Sequence, residues 1–205
     1  HKAITHGGRL DSADALAALS LLLERTAQLG ERMGVLLVQC PRTLQADVGM
    51  LQAFAAAVDA APAGPPRRLA FEFRHPSWAA DEAVVELLQR RGWTLVVHPN
   101  TTGRATVGTS AGGREGRSEH YGLEPLPTVP PCEGAGWAYV RLHGDNDEHT
   151  YRYSEAELAA LAQALHAWRR RGLEVHCFVL VRRAPLRGVA SVHTCRALAN
   201  PAARG

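Results

Sequence analysis

Lysine is all but missing from this chain: of 23 basic residues only Lys2 is a lysine, and the rest are arginine. Together with heavy Ala and Gly usage this marks a biased codon pool, so arginine richness by itself does not argue for nucleic acid. No apolar run approaches the ~20 residues that a membrane-spanning helix needs, which excludes a membrane partner of that kind. No signal-peptide pattern opens the chain. The four cysteines, Cys40, Cys132, Cys177 and Cys195, form no C-x-x-C pair and no zinc-ligand spacing. They read as reduced thiols of an intracellular protein, cytoplasmic or organellar. No glycine-rich dinucleotide fingerprint opens a helix, and the helix-borne H-E-x-x-H arrangement is absent.

What is present suits a single globular domain. The 205 residues are 46% hydrophobic and 21% charged, with a net charge of +3 and a pI near 8.9. That length can bury a sizeable core, and 1–205 reads as one domain. The chain begins at His1 rather than Met, close to the expected end of a strand, so a fragment is the expectation.

Periodicity then orders the chain. Lys2 to Ile4 reads as the end of a strand, and Asp11 to Arg32 as a helix with Leu16, Leu19, Leu22 or Leu23, and Leu29 on one stripe. Strands are expected at Val35–Gln39, Leu69–His75, Thr94–His98, Trp137–Gly144 and Val175–Val181. Helices are expected at about Ala46–Ala60, Ala80–Arg91, Ser154–Arg171 and Ser191–Ala199. Between Pro99 and Pro131 no period survives, and the Gly, Ser, Thr, Arg and Pro content there marks a functional loop or a flexible, poorly packed insertion. Strands alternating with helices predict parallel pairing with right-handed crossovers.

Two strands carry the chemistry. In LAFEFRHPSW, Phe71 and Phe73 alternate with Glu72 and Arg74, so two aromatics face one way and two opposite charges the other. In WAYVRLHG, Ala138, Val140 and Leu142 alternate with Tyr139, Arg141 and His143. Charges on an inward strand face are costly unless paired or used, and two strands ending in Arg-His or Arg-x-His predict one shared site. His6, Gln39, His75, His98 and His143 all fall at the carboxyl ends of expected strands. In a barrel those ends form one ring on one face, where such enzymes place their chemistry. The expected fold is therefore α/β, a (β/α)8 TIM-type barrel with about six of its eight strands in this chain.

Four motifs in this order, K-x-I-T-H, V-x-x-x-Q-x-P at Val35 to Pro41, EFRHPSW at Glu72 to Trp78 and YVRLHG at Tyr139 to Gly144, resemble the YecE-like family, known as domain of unknown function 72. The resemblance covers nearly the whole chain. It implies an eight-stranded β/α barrel of roughly 250 residues, with two further strands ahead of the lysine and hence an N-terminal truncation here. The last strand departs from the family pattern: Phe178-Val179-Leu180-Val181 stands where the family has a phenylalanine followed by asparagines. The family has no settled activity, so the resemblance implies a fold and a site and no reaction.

The residues themselves nominate Glu72, His75, His143 and Lys2 for catalysis, and Arg74, Arg141, His6, Gln39, Trp78, Tyr151 and Tyr153 for substrate binding. Arginine's planar fork grips phosphate or carboxylate at two points, and a glutamate can hold it in place. Set against this, Glu72, Arg74 and Arg141 can equally be a structural charge layer plugging the barrel. Gln39 can be a satisfied core amide and Trp78 an ordinary packed aromatic. Histidines drawn from separate strands give no local metal-ligand spacing, and the sequence assigns neither metal nor cofactor. Two classes of function stay open. One is a barrel hydrolase acting on a small phosphorylated or otherwise anionic substrate, nucleic acid included. The other is a non-catalytic anion- or nucleic-acid-binding protein, or a decayed homologue.

Overall fold

The computed structural model describes residues 4, 8–61, 67–78, 81–99, 126–142, 153–179 and, for the backbone alone, 193–195. Five strands run parallel: β1 (Val35–Gln39), β2 (Arg68–Glu72), β3 (Thr94–Val97), β4 (Trp137–Leu142) and β5 (Glu174–Val179), paired in sequence order. Between them stand the helices α1 (Ala13–Ala27) ahead of β1, α2 (Val48–Ala60), α3 (Glu82–Arg90) and α4 (Glu155–Arg170). Each helix starts on a cap written into the sequence. Ser12, Asp47 and Asp81 accept from backbone N–H groups of the first turn, and Ser154 with Glu157 makes a complete capping box.

The helices cover one face of the sheet. Leu19, Leu23, Met50, Leu51, Phe54, Val84 and Leu88 bury against Leu69, Phe71 and Phe73, while Leu161 and Trp168 of α4 bury against Ala138, Val140 and Val175. The other face is concave. Neighbouring strands lie ~4.8 Å apart, so β2 and β5 would stand ~14 Å apart in a flat sheet. Across this face the long side chains of their first residues pair, Arg68 Nη1 reaching Glu174 Oε2 at 2.6 Å. Five curled parallel strands with helices outside make a half-barrel.

Several elements differ from expectation. Ile4, expected at a strand end, is helical and buried. A strand there would have to pair with β1, whose second edge carries no partner among the described residues. Residues 193–195, expected inside a helix, form β6 (His193–Cys195), antiparallel to β5 with Cys177 opposite Cys195. The open edge of β5 offers backbone hydrogen bonds that outweigh the weak helical period of that stretch. Most of the expected insertion lies outside the described residues, but 126–131 is engaged: Pro130 is buried, Leu126 packs beside α4, and the Pro127 carbonyl accepts from Trp168 Nε1 at 3.0 Å. A buried indole N–H needs an acceptor, and this loop supplies it.

Entry to β4 depends on Gly136, whose φ of +78° belongs to the left-handed region that glycine alone adopts without strain. Its carbonyl accepts from Glu174 N–H at 3.1 Å, which fixes where β5 starts beside β4.

Candidate functional site

Strand alternation sends Gln39, Glu72, Val96, Tyr139 and His176 to the concave face in one row, through the pairings Gln39 with Glu72, Val96 with Tyr139 and Tyr139 with His176. Carrying the register past the ends of β2 and β3 gives a second row, one step nearer the carboxyl ends: Arg74, His98, Arg141 and Phe178. The pairing of Arg141 with Phe178 belongs to the ladder itself.

Glu72 is the hub, and only 2% of its side chain is exposed. Its Oε1 accepts from Gln39 Nε2 at 2.7 Å and from Arg74 Nε and Nη2 at 3.1 and 2.9 Å. Its Oε2 accepts from Arg141 Nη1. His98 Nε2 stands 3.6 Å from Oε1, an ion-pair distance rather than a hydrogen bond. Burial by itself would push the Glu72 carboxyl up. His98, the Arg141 charge and the Gln39 amide outweigh it and hold the group well below the usual carboxylate range. An ionised, donor-saturated carboxylate is a poor proton acceptor. Glu72 therefore orients guanidiniums rather than carrying protons.

His98 is held from its other side. Its Nδ1 lies 3.0 Å from the Arg141 carbonyl. A carbonyl only accepts, so Nδ1 carries hydrogen and the ring is oriented as a strap between β3 and β4. Sequence reasoning placed His98 in the ring of strand-end residues but gave it no part in this cluster. Register, which places it beside Arg74 and Arg141, was the missing signal.

His75 belongs to a different local network. Its Nδ1 accepts from Ser77 N–H at 3.2 Å and lies 2.8 Å from Ser77 Oγ, which itself accepts from Ala46 N–H at 2.7 Å. With Nδ1 an acceptor, the neutral ring carries its proton on Nε2. The turn Pro76–Trp78 thus ties the loop after β2 to the loop after β1.

The other nominated residues fall elsewhere. Trp78 is fully buried on the helix side, stacked on Phe73 with ring centroids 3.8 Å apart, its Nε1 donating to the Leu44 carbonyl at 2.8 Å. Tyr153 packs against the α4–β4–β5 core, also on the helix side. Lys2, His6, His143 and Tyr151 lie outside the described residues. Gln39 is half-buried and faces the cluster, its amide nitrogen donating to Glu72. Among the described residues no group of three or more His, Cys, Asp or Glu is placed to hold a metal ion. No helix among them is long and apolar enough to cross a membrane.

Two buried thiols stay outside the cluster, Cys40 just below Glu72 and Cys132 at the start of β3 and β4. Burial, reinforced by the Glu72 charge, pushes the Cys40 thiol up to about 12; burial pushes Cys132 up to about 11. A thiol that far from ionisation is a packing group. In the folded chain Cys40 and Cys132 should resist iodoacetamide at pH 8 and become modified only on unfolding, as peptide mass spectrometry would read. Rapid native labelling of Cys40 would mean that the site opens to solvent beneath Glu72.

Comparison with known proteins follows the same lines. The family model described as a protein of unknown function, DUF72, matches residues 1–203. A DUF72 family protein of Thermotoga maritima has a similar crystal structure, with a TM-score of 0.55 at 22% identity, covering 87% of this chain and 64% of that one. Two crystal structures of a DUF72 family protein of Enterococcus faecalis are similar at 16% identity, with TM-scores of 0.50 and 0.54. They cover 83% and 87% of this chain and 61% and 65% of theirs. The chain thus spans just under two thirds of the length of the solved structures it resembles. No curated protein matches it. At these identities the likeness establishes the fold alone.

Proposed function

The chain belongs to the DUF72 family of proteins of unknown function, and from its strand-end cluster we propose that it binds a small phosphorylated ligand on the concave face. One observation carries the reading: two guanidiniums share a single buried carboxylate, so among the described residues the cluster keeps a surplus positive charge, part of it accessible through Arg74. Arg141 is 11% exposed and Arg74 38% exposed, and among the described residues Glu72 is the only anion either of them meets. Arg74 spends its Nε edge on Glu72, and Arg141 a single amino group. Both forks keep donors for an oxyanion, and a guanidinium pair suits a tetrahedral, doubly charged group.

In this reading the half-barrel is the larger part of a closed (β/α)8 barrel, and the cluster sits where that fold gathers its chemistry. Glu72 and Gln39 position, Arg74 and Arg141 bind, and His98 braces Arg141 through its carbonyl. A hydrolytic step would need a proton carrier at the rim. His75, with Nε2–H as its neutral tautomer, is the described candidate, and His143 and Lys2 complete the nominated set.

Screening phosphate monoesters, with and without divalent metals, tests the two parts separately. Saturable phosphate binding with turnover supports a hydrolase, and binding without turnover supports a non-catalytic receptor. A preference for oligonucleotides over small phosphates would move the reading to nucleic acid. Absence of any phosphate binding at low ionic strength would remove its basis.

A further inference from the structure

Next to Arg141 in the register row stands Phe178 of β5, on the same concave face and half-buried. It tops an aromatic column running down β4 and β5. Tyr139 stacks on Phe178 with centroids 4.8 Å apart and planes 24° apart, His176 follows at 6.5 Å from Tyr139, and Trp137 meets His176 edge-on at 5.8 Å. Trp137 and Tyr139 are buried. Phe178 keeps accessible surface, at the end of the column that pairs in register with Arg141. Filling a barrel interior would account for the lower rings. Phe178 differs from Trp137 and Tyr139 in keeping accessible surface, in the same register row as Arg141.

Resting on the phosphate reading of this site, we infer that its ligand carries a flat aromatic group next to the phosphate, as a nucleoside monophosphate does, and stacks that group on Phe178. Arg141 and Phe178 come from adjacent strands, ~4.8 Å apart at the backbone. Their side chains can diverge above the sheet, leaving a gap that one pentose spans. Tyr139 backs Phe178 on one face, so the ring is fixed in plane and a base can stack without ordering a mobile side chain. Stacking tolerates any base, because every base presents a π-face. The site would thus select the class of ligand and not a particular nucleobase.

Calorimetric titration of inorganic phosphate, ribose 5-phosphate, adenosine 5′-monophosphate and adenosine tests the inference, on the parent chain and on Phe178→Leu. Circular dichroism of the variant confirms that it keeps the fold. Adenosine 5′-monophosphate should bind at least about fivefold more tightly than ribose 5-phosphate. Adenosine alone should bind far more weakly than either. Phe178→Leu should erase the advantage of the base and leave ribose 5-phosphate and inorganic phosphate unchanged. Equal affinity for the two esters in the parent chain, or an advantage that survives in Phe178→Leu, overturns the inference while the phosphate reading stands. If no phosphate compound binds, both fall together.

Discussion

Replacing Arg141 by Leu should reduce phosphate or sulfate affinity by more than about thirtyfold, the loss that goes with removing one partner of a desolvated charged contact. The two guanidiniums divide the carboxylate between them, Arg74 on Oε1 and Arg141 on Oε2. Without Arg141 the excess of guanidiniums over carboxylate is gone, and with it the bidentate contact that attracts an anion. Glu72 keeps Arg74 and Gln39 as donors, so the fold should survive. Lysine at the same position keeps the charge but loses the planar fork, and should restore part of the affinity. Calorimetry on the parent, Arg141→Leu and Arg141→Lys chains reads the series. Parent-like affinity in a folded Leu variant would reduce the arginines to a structural charge layer.

The Glu72→Gln variant should be less stable than the parent by about 3–5 kcal/mol near neutral pH, because it leaves two guanidiniums without the buried carboxylate that compensates them. The pH dependence has a definite sign. The folded carboxyl is held below its ordinary value of 4.5, so the stability it contributes is present above that value. That contribution falls away as acid protonates the group in the unfolded chain, and later in the folded one. The gap between parent and variant should therefore be full at pH 7 and shrink steadily below about pH 4.5. Urea denaturation of both chains across pH 3–7 measures it. A gap that is constant with pH would mean that Glu72 loses its pairing in solution.

The period-two alternation of EFRH and YVRL was enough to place Glu72, Arg74 and Arg141 on one face, because side-chain direction in a strand is fixed by parity. It did not show which residues on separate strands become neighbours. That depends on register, and register brought His98 and Phe178 into the row with Arg141. Glu174, His176 and Phe178 alternate as plainly as Glu72 and Arg74, so the sequence held the signal that β5 adds an aromatic to the concave face. Trp78 and Tyr153 could not be placed by proximity to strand ends, since the turn after β2 and the start of α4 return toward the helix layer. Helix caps were the most legible feature, being local: Ser154 and Glu157 make in space the bonds their spacing predicts.

Anomalous diffraction from crystals soaked in selenate or tungstate tests the central claim most directly. The account predicts a peak on the concave face within hydrogen-bonding distance of both the Arg74 and Arg141 guanidiniums, present in the parent chain and absent in Arg141→Leu. Ordered Arg74 and Arg141 side chains closed on Glu72, with no density between them and the anion bound only elsewhere, would contradict it.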